Sequence, residues 1–223
     1  MAGESLLARS VLADRVRERL LEGILSGRYP PDARIVETQV ARELGTSQAP
    51  VREALRGLEA LGVIEIAPFR GARVRRPTTR ELLEAYAVRS VLESLAARLA
   101  VPRLTDDDLT LLAGAAAEMH EAAAVGDRHR LAEADARFHG TIVELAGNGT
   151  LLKVWRSLEP FLRTYITLVV PGADPQWSAD LHAPIVAALR ARDVDAVVAA
   201  LEGHFAEVSD TMASRLADQE SPG

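Results

Sequence analysis

A mainly α protein in two parts is what this sequence predicts, and three observations predict it. Residues 37–61 hold two short stretches of helical spacing joined by a glycine turn, and residues 63–76 hold two alternating stretches around a glycine-containing loop. After Pro77 no alternation appears, and six stretches with helical spacing follow. The charge divides at the same place. Residues 1–77 carry 13 Arg and 10 Asp/Glu (+3), residues 78–223 carry 13 Lys/Arg and 22 Asp/Glu (−9), and the two sum to the chain's −6. A basic part joined to an acidic part points to two jobs.

The length of 223 residues allows one large or two ordinary domains, and a hydrophobic fraction of 48% describes a soluble globular chain. No apolar run approaches the roughly 20 residues of a membrane span. The start, M-A-G-E-S-L-L-A-R-S, lacks a charged region followed by an apolar core, so no signal peptide is expected. With no cysteine, disulfides, thiolate catalysis and Cys-based zinc sites are excluded, which fits a cytoplasmic protein.

The expected elements run in order from residue 9. Residues 9–27 form a helix with Val11, Leu12, Val16, Leu20, Ile24 and Leu25 on one face. Tyr29-Pro30-Pro31-Asp32 is a turn, because two prolines stop a helix. Val40, Ala41 and Leu44 mark a second helix, which Gly45 ends by taking the left-handed conformation. Ser47 is the expected N-cap of a third, with Pro50 in its first turn and Val51, Leu55, Leu58 and Leu61 repeating behind. Helix, glycine turn, helix is the helix-turn-helix pattern, whose second helix enters the DNA major groove by its N-terminal end. An ordinary αα-hairpin is the other reading of this stretch alone. Val63–Ile66 and Ala72–Arg75 then form a β-hairpin, the wing of a winged helix-turn-helix, carrying Arg70, Arg73, Arg75 and Arg76. Arginines beside a groove-reading helix suit phosphate or minor-groove contacts; a solvated basic hairpin is the alternative. The expected DNA-contacting residues are Thr38, Ser47, Gln48, Ala49, Arg52, Arg70 and Gly71.

The domain boundary is set at Pro77, and residues 78–217 are expected to form an antiparallel six-helix bundle. Its first helix is capped by Thr78 or Thr79 and reaches about Ala100, with Leu82, Val88, Val91, Leu92, Leu95 and Leu99 inside. The second follows Thr105-Asp106-Asp107-Asp108 and runs to about Val125. The third spans Arg128 to Ala146, and the fourth runs from near Thr150 to about Val170, with Pro160 inside it. The fifth spans Ser178 to Ala191 and the sixth runs to about Leu216, leaving 218–223 as a disordered tail.

The chain has only five histidines. Asp135 and His139 are four apart, on one helix face with Phe138, Ile142 and Val143. His182 shares a face with Ile185, Val186 and Leu189, and His204 with Val197, Leu201 and Val208. Both are equally far from residue 193, where the chain turns, so in an antiparallel pair they stand at one height. Three imidazoles and one carboxylate directed inward suit a divalent metal, zinc before manganese, nickel or iron. Taken singly, each is better read as a buried histidine with a hydrogen bond, or a surface Asp–His pair. As a set, four buried polar groups without a shared partner would cost about 1–3 kcal/mol each. Arg89 borders the apolar face of the first bundle helix and either clamps a carboxylate ligand or pairs with Glu93. Arg163 and Tyr165 are weaker ligand contacts, and Asn148 is either an effector contact or a helix C-cap.

Several of these motifs resemble a known family. Pro31-Asp32-Ala33-Arg34-Ile35-Val36-Glu37, Leu44 to Leu55 (L-G-T-S-Q-A-P-V-R-E-A-L), Leu61-Gly62-Val63-Ile64, and Gly71 with Val74 resemble the GntR-superfamily winged helix. Tyr86 to Glu93 (Y-A-V-R-S-V-L-E), Asp135-Ala136-Arg137-Phe138-His139, His182 and His204 are similar to the FCD ligand-binding domain of the FadR subgroup, and six helices are closer to its VanR type. The resemblance implies a homodimeric bacterial transcription regulator with a palindromic operator and an effector in the helical domain. It implies a metal ion on Asp135, His139, His182 and His204 that helps bind a small carboxylate, with Arg89 at the effector; Asn148 is kept as a second candidate effector contact. One position departs: many members carry arginine where this chain has Gln48, and glutamine pairs with adenine where arginine prefers guanine.

The expected function is therefore a cytoplasmic, effector-controlled repressor and not an enzyme. The alternative is a metal-dependent hydrolase or lyase using the three-His, one-Asp centre. Against it, no further carboxylate is placed as a general base, and the basic N-terminal part would have no role.

Overall fold

The computed structural model describes residues 2–67, 71–168 and 174–220, with side chains over 11–67, 71–158 and 174–214. Two compact units divide between Arg76 and Pro77, with residues 163–168 grouped with the first.

The first unit contains α1 (Ala2–Leu25), β1 (Arg34–Ile35), α2 (Glu37–Glu43), α3 (Gln48–Ala60), β2 (Ile64–Ala67) and β3 (Gly71–Val74). It is a winged helix-turn-helix. Glycine ends both short helices by one mechanism. Gly45 (φ 62°) and Gly62 (φ 70°) turn left-handed, which lets Thr46 N–H reach the Ala41 carbonyl at 2.9 Å and Val63 N–H reach that of Leu58 at 3.1 Å. Ser47 stands at the N-cap of α3 in extended conformation, but its side chain makes no capping bond.

The sheet is antiparallel in the order β1-β3-β2, with Ile64 opposite Val74 and Arg34 opposite Arg73. Strand β1 is an addition to the expected hairpin; two residues are too few to show alternation. Ile24, Val51, Leu55, Leu58, Ile64 and Val74 meet in the core between helices and sheet. Among the described side chains of α1 the inward line is Ala13, Val16, Leu20 and Ile24, and Val11 and Leu12 face solvent rather than the core.

In the second unit, α4 (Thr79–Ala100) leads through a 3-10 turn at Val101–Arg103 to α5 (Asp106–Ala124), α6 (Arg128–Leu145) and α7 (Gly149–Leu168). Then come α8 (Pro175–Asp180), α9 (Ala183–Ala191) and α10 (Val194–Glu220). The bundle has its expected members, but the fifth is divided into α8 and α9. Pro184, in the first turn of α9, has no N–H to give Asp180, and its ring would meet that carbonyl in a continuous helix. His182 sits at the break, its N–H bonded to the Ala179 carbonyl at 3.1 Å. Thr78 with Glu81, and Thr105 with Asp108, form reciprocal capping boxes at the starts of α4 and α5.

Two expectations on this unit change. Val88, Val91 and Leu95 of α4 are 48%, 69% and 44% exposed, and the inward face is Leu82, Tyr86, Arg89, Glu93, Ala96, Ala97 and Ala100. Two stripes of helical spacing compete on α4, and the one holding the charged pair is inside. Helix α10 continues to Glu220, through the first residues of the expected tail, and residues 221–223 lie outside the described set.

Candidate functional site

The site in the bundle is assembled by α4, α6, α10 and the α8–α9 break. Helical spacing puts Asp135 and His139 on the inner face of α6, and Arg89 and Glu93 on the inner face of α4. The divided fifth helix supplies His182, and α10 supplies His204 beside Phe205. The ring centroids of His139, His182 and His204 lie 4.7–5.2 Å apart. One nitrogen from each falls within 4.8 Å of the others, and all three residues are buried. Asp135 Oδ1 lies 3.2 Å from His182 Nε2 and 3.7 Å from His139 Nε2.

The outer hydrogen bonds fix which nitrogens face inward. His139 Nδ1 is 2.5 Å from Glu93 Oε2, and His182 Nδ1 is 3.1 Å from the Ser178 carbonyl. Both partners are acceptors, so both Nδ1 atoms carry the proton and both Nε2 atoms present lone pairs. Those two Nε2 atoms are 3.1 Å apart, beside a carboxylate oxygen. Acceptors gathered around one point, with no proton to share, are the electrostatic signature of a cation site. His204 Nδ1 is buried and has no hydrogen-bond partner, as a free ligand atom would be. Three imidazoles and a carboxylate, with acceptors bonded to the far nitrogens of two of the rings, fit a divalent transition metal.

Glu93 is the residue that sequence reading undervalued. It entered only as a neighbour for Arg89, yet it is fully buried and ties three helices together. Its Oε1 accepts from Arg89 Nε at 2.5 Å and from Trp155 Nε1 at 2.8 Å, while its Oε2 faces His139. A glutamate four residues after an inward arginine was the available signal. Burial alone would raise its carboxyl, but Arg89 and His139 pull it down to about 2. Burial pushes the imidazoles of His139 and His204 down, toward the neutral, metal-ligating form.

Arg89 pairs with Glu93, one of the two roles weighed for it. Its Nε is engaged by Glu93, while its Nη2 is buried without a hydrogen bond and lies 3.9 Å from Asp135 Oδ2. The guanidinium carbon lies 5.7 Å from the Trp155 ring and 5.4 Å from that of Phe205. Burial opposes its charge, and the carboxylates of Glu93 and Asp135 overcome this and raise its pKa.

Asn148 is placed elsewhere. Its Oδ1 accepts from Thr150 and Leu151 N–H at 3.2 and 3.1 Å, which caps the start of α7 and not the end of a helix. It lines a surface cavity with Arg98, Arg103 and Gly147. Arg163 and Tyr165 lie outside the described side chains.

In the first unit, Ser47 and Gln48 begin α3 and are exposed, Ala49 is half-buried, and Thr38 is exposed on the first turn of α2. Arg52 is exposed but engaged, since Glu37 takes its Nη2 at 2.9 Å and its Nε at 3.2 Å. Gly71 opens β3 with φ 80°, and Arg70 lies outside the described residues. Of the other wing arginines, Arg73 is exposed opposite Arg34, Arg76 pairs with Asp32, and Arg75 reaches the Gly62 carbonyl.

A winged helix-turn-helix joined to an all-α domain defines a class: the DNA-binding transcription regulators. Residues 84–207 match the FCD domain and residues 12–74 match the bacterial regulatory proteins of the gntR family, and the chain belongs to this family of transcriptional regulators. It is 38% identical over 200 residues to a "probable D-xylose utilization operon transcriptional repressor" of Paenarthrobacter nicotinovorans, covering 90% of this chain and 88% of that protein. It is 27% identical to the gluconate operon transcriptional repressor of Bacillus licheniformis, over 92% and 86% of the two chains. Among solved structures it is similar to a GntR transcriptional regulator from Rhodococcus sp. RHA1, with a TM-score of 0.80, 25% identity and coverage of 91% and 97%. These relatives are transcription regulators, not enzymes. Among the described residues no helix is long and apolar enough to cross a membrane.

Proposed function

We propose that the bundle is a metal-assisted sensor of a small carboxylate, and that its occupancy controls operator binding by the winged unit. The observation that carries this reading is the pairing of converging acceptors with an unused arginine donor. His139 Nε2, His182 Nε2 and Asp135 Oδ1 gather within hydrogen-bond range of one another or just beyond it, and Arg89 Nη2 is buried without a hydrogen bond. Charge supports it as well. With neutral imidazoles, Arg89, Glu93 and Asp135 leave the centre at −1; a divalent cation brings it to +1, and a monocarboxylate returns it to zero. Buried charge is tolerated only when paired, so a cation and an anionic ligand belong together here.

His139, His182, His204 and Asp135 would hold the metal, zinc in preference to manganese, nickel or iron. Bound there, it supplies a Lewis-acidic anchor for an anionic oxygen. Arg89 Nη2 orients the same ligand by a charge-assisted hydrogen bond, and the Trp155 and Phe205 rings confine the guanidinium. Linkage makes the coupling reciprocal: an effector that weakens DNA binding is itself weakened by DNA. The regulator acts as a homodimeric repressor on a palindromic operator, and effector relieves repression. Thr38, Ser47, Gln48, Ala49, Arg52, Arg70 and Gly71 contact the DNA. The exposed Val88, Val91 and Leu95 stripe offers apolar surface for a second copy.

The test uses zinc-loaded protein and a panel of sugars and sugar acids, a choice guided by the relatives of the D-xylose and gluconate operons. A binding acid raises the thermal midpoint, shifts Trp155 emission and releases operator DNA in anisotropy. Arg89→Ala removes all three responses. An unchanged response in Arg89→Ala, or no ligand response from zinc-loaded protein, refutes the sensor reading.

A further inference from the structure

Arg52 lies in the second turn of α3, on the helix expected in the major groove, and Glu37 is the first residue of α2. The two are fifteen residues apart in sequence and meet through both carboxylate oxygens, with Nη2–Oε2 at 2.9 Å, Nε–Oε2 at 3.2 Å and Nε–Oε1 at 3.4 Å. Both side chains are substantially exposed, at 53% and 33%, so the pair adds little to stability. A side-on carboxylate occupies Nε–H and one Nη2–H. It leaves the Nη1 edge of the guanidinium, a fork of donors in a fixed direction.

DNA distinguishes such a neutralised arginine from a free one. A phosphate responds chiefly to charge, and beside Glu37 it meets a paired cation. A guanine edge responds chiefly to donor geometry, and it meets a fork already held in place. Neutralising one cation also removes about one phosphate's share of counterion release from sequence-independent binding. The glutamate also raises the Arg52 pKa, so the guanidinium stays protonated throughout.

We propose that Glu37 is a specificity-setting, positioning residue: it orients Arg52 from α2 and withholds that arginine from indiscriminate phosphate pairing, so that operator is favoured over random DNA. This rests on the reading of α3 as the groove-entering helix. The competing role for Glu37 is structural, as an acid in the first turn of α2 interacting with the helix dipole.

Equilibrium anisotropy with the full chain separates the two. One duplex is selected by the wild-type protein from a random pool, the other is scrambled, and both are titrated over a range of salt. In Glu37→Gln, scrambled DNA binds more tightly, its log K against log salt steepens by about 0.9, and the selected-to-scrambled ratio falls severalfold. On an Arg52→Ala background the same substitution leaves the ratio unchanged. A ratio unaltered by Glu37→Gln, or altered equally on the Arg52→Ala background, overturns the proposal. Wild-type protein that does not discriminate the two duplexes refutes instead the groove-entering reading beneath it.

Discussion

Glu93 Oε2 stands 2.5 Å from His139 Nδ1, linking the first bundle helix to the third and fixing the tautomer of a histidine that faces the centre. Because Oε1 of the same carboxylate takes Arg89 and Trp155, one buried acid orders the imidazole, the guanidinium and the indole together. It is a carboxylate behind a candidate metal-ligating histidine, an arrangement that raises ligand basicity and fixes ring direction.

Replacing that acid should separate metal binding from the fold. Glu93→Ala is expected to weaken zinc by about 10–100-fold in a chelator competition. It should also cost about 3–5 kcal/mol in denaturant unfolding of metal-free protein, since it leaves Arg89 buried without its partner. Glu93→Gln keeps an acceptor for His139 and should lose less zinc affinity than Glu93→Ala. Equal zinc affinity in wild type and Glu93→Ala would remove Glu93 from the metal argument.

Acid should destabilise the metal-free protein, and the sign follows from the direction of the shifts. His139 and His204 have folded pKa values below the ordinary 6.5, so the unfolded chain takes their protons first as pH falls past that value. Glu93, lowered from 4.5 to about 2, contributes stability that is present above 4.5 and lost between those two values. The thermal midpoint should be level above neutrality, fall below about pH 6.5 and fall further below about 4.5. A midpoint that rises between pH 7 and pH 5 would contradict the buried neutral imidazoles.

Gln48 begins α3 with an exposed side chain. Gln48→Arg should change operator preference from adenine toward guanine at one position in each half-site, read by selection from a random duplex pool. The discrimination at stake is about 1–3 kcal/mol for a bidentate pair. An identical selected sequence from wild type and variant would show that residue 48 does not read a base.

Val91, 69% exposed in the middle of an apolar stripe, is the place to test self-association. Val91→Glu should convert a dimer to monomer in sedimentation, with no loss of helical signal, and weaken binding to a palindrome far more than to a half-site. A Val91→Glu protein that remains dimeric would place the dimer contact elsewhere.

Local chemistry was legible in the sequence wherever it is decided by neighbours along the chain. Gly45 and Gly62 end their helices because a left-handed residue is needed there, whatever surrounds them. Asp135 and His139 share a face because they are four apart on one helix. The equal distances of His182 and His204 from residue 193 anticipated their meeting, and that survived the break at Pro184 because the chain still reverses at the same turn. Gln48 and Ser47 were placed on the exposed start of α3 by the same local reasoning.

Other features needed the folded molecule. Two stripes of helical spacing on α4 are equally periodic, and only packing put Arg89 and Glu93 inside and Val88, Val91 and Leu95 outside. The tautomers of His139 and His182 are set by a glutamate 46 residues away and a carbonyl one helical turn back, and only the first of these required the tertiary fold. The bond between Glu37 and Arg52 likewise joins two helices across a turn. Periodicity therefore determined which residues could share a face of each helix. The choice among faces, and with it the pairing of the charges, was made by burial, because a buried charge must find its partner wherever the chain brings one.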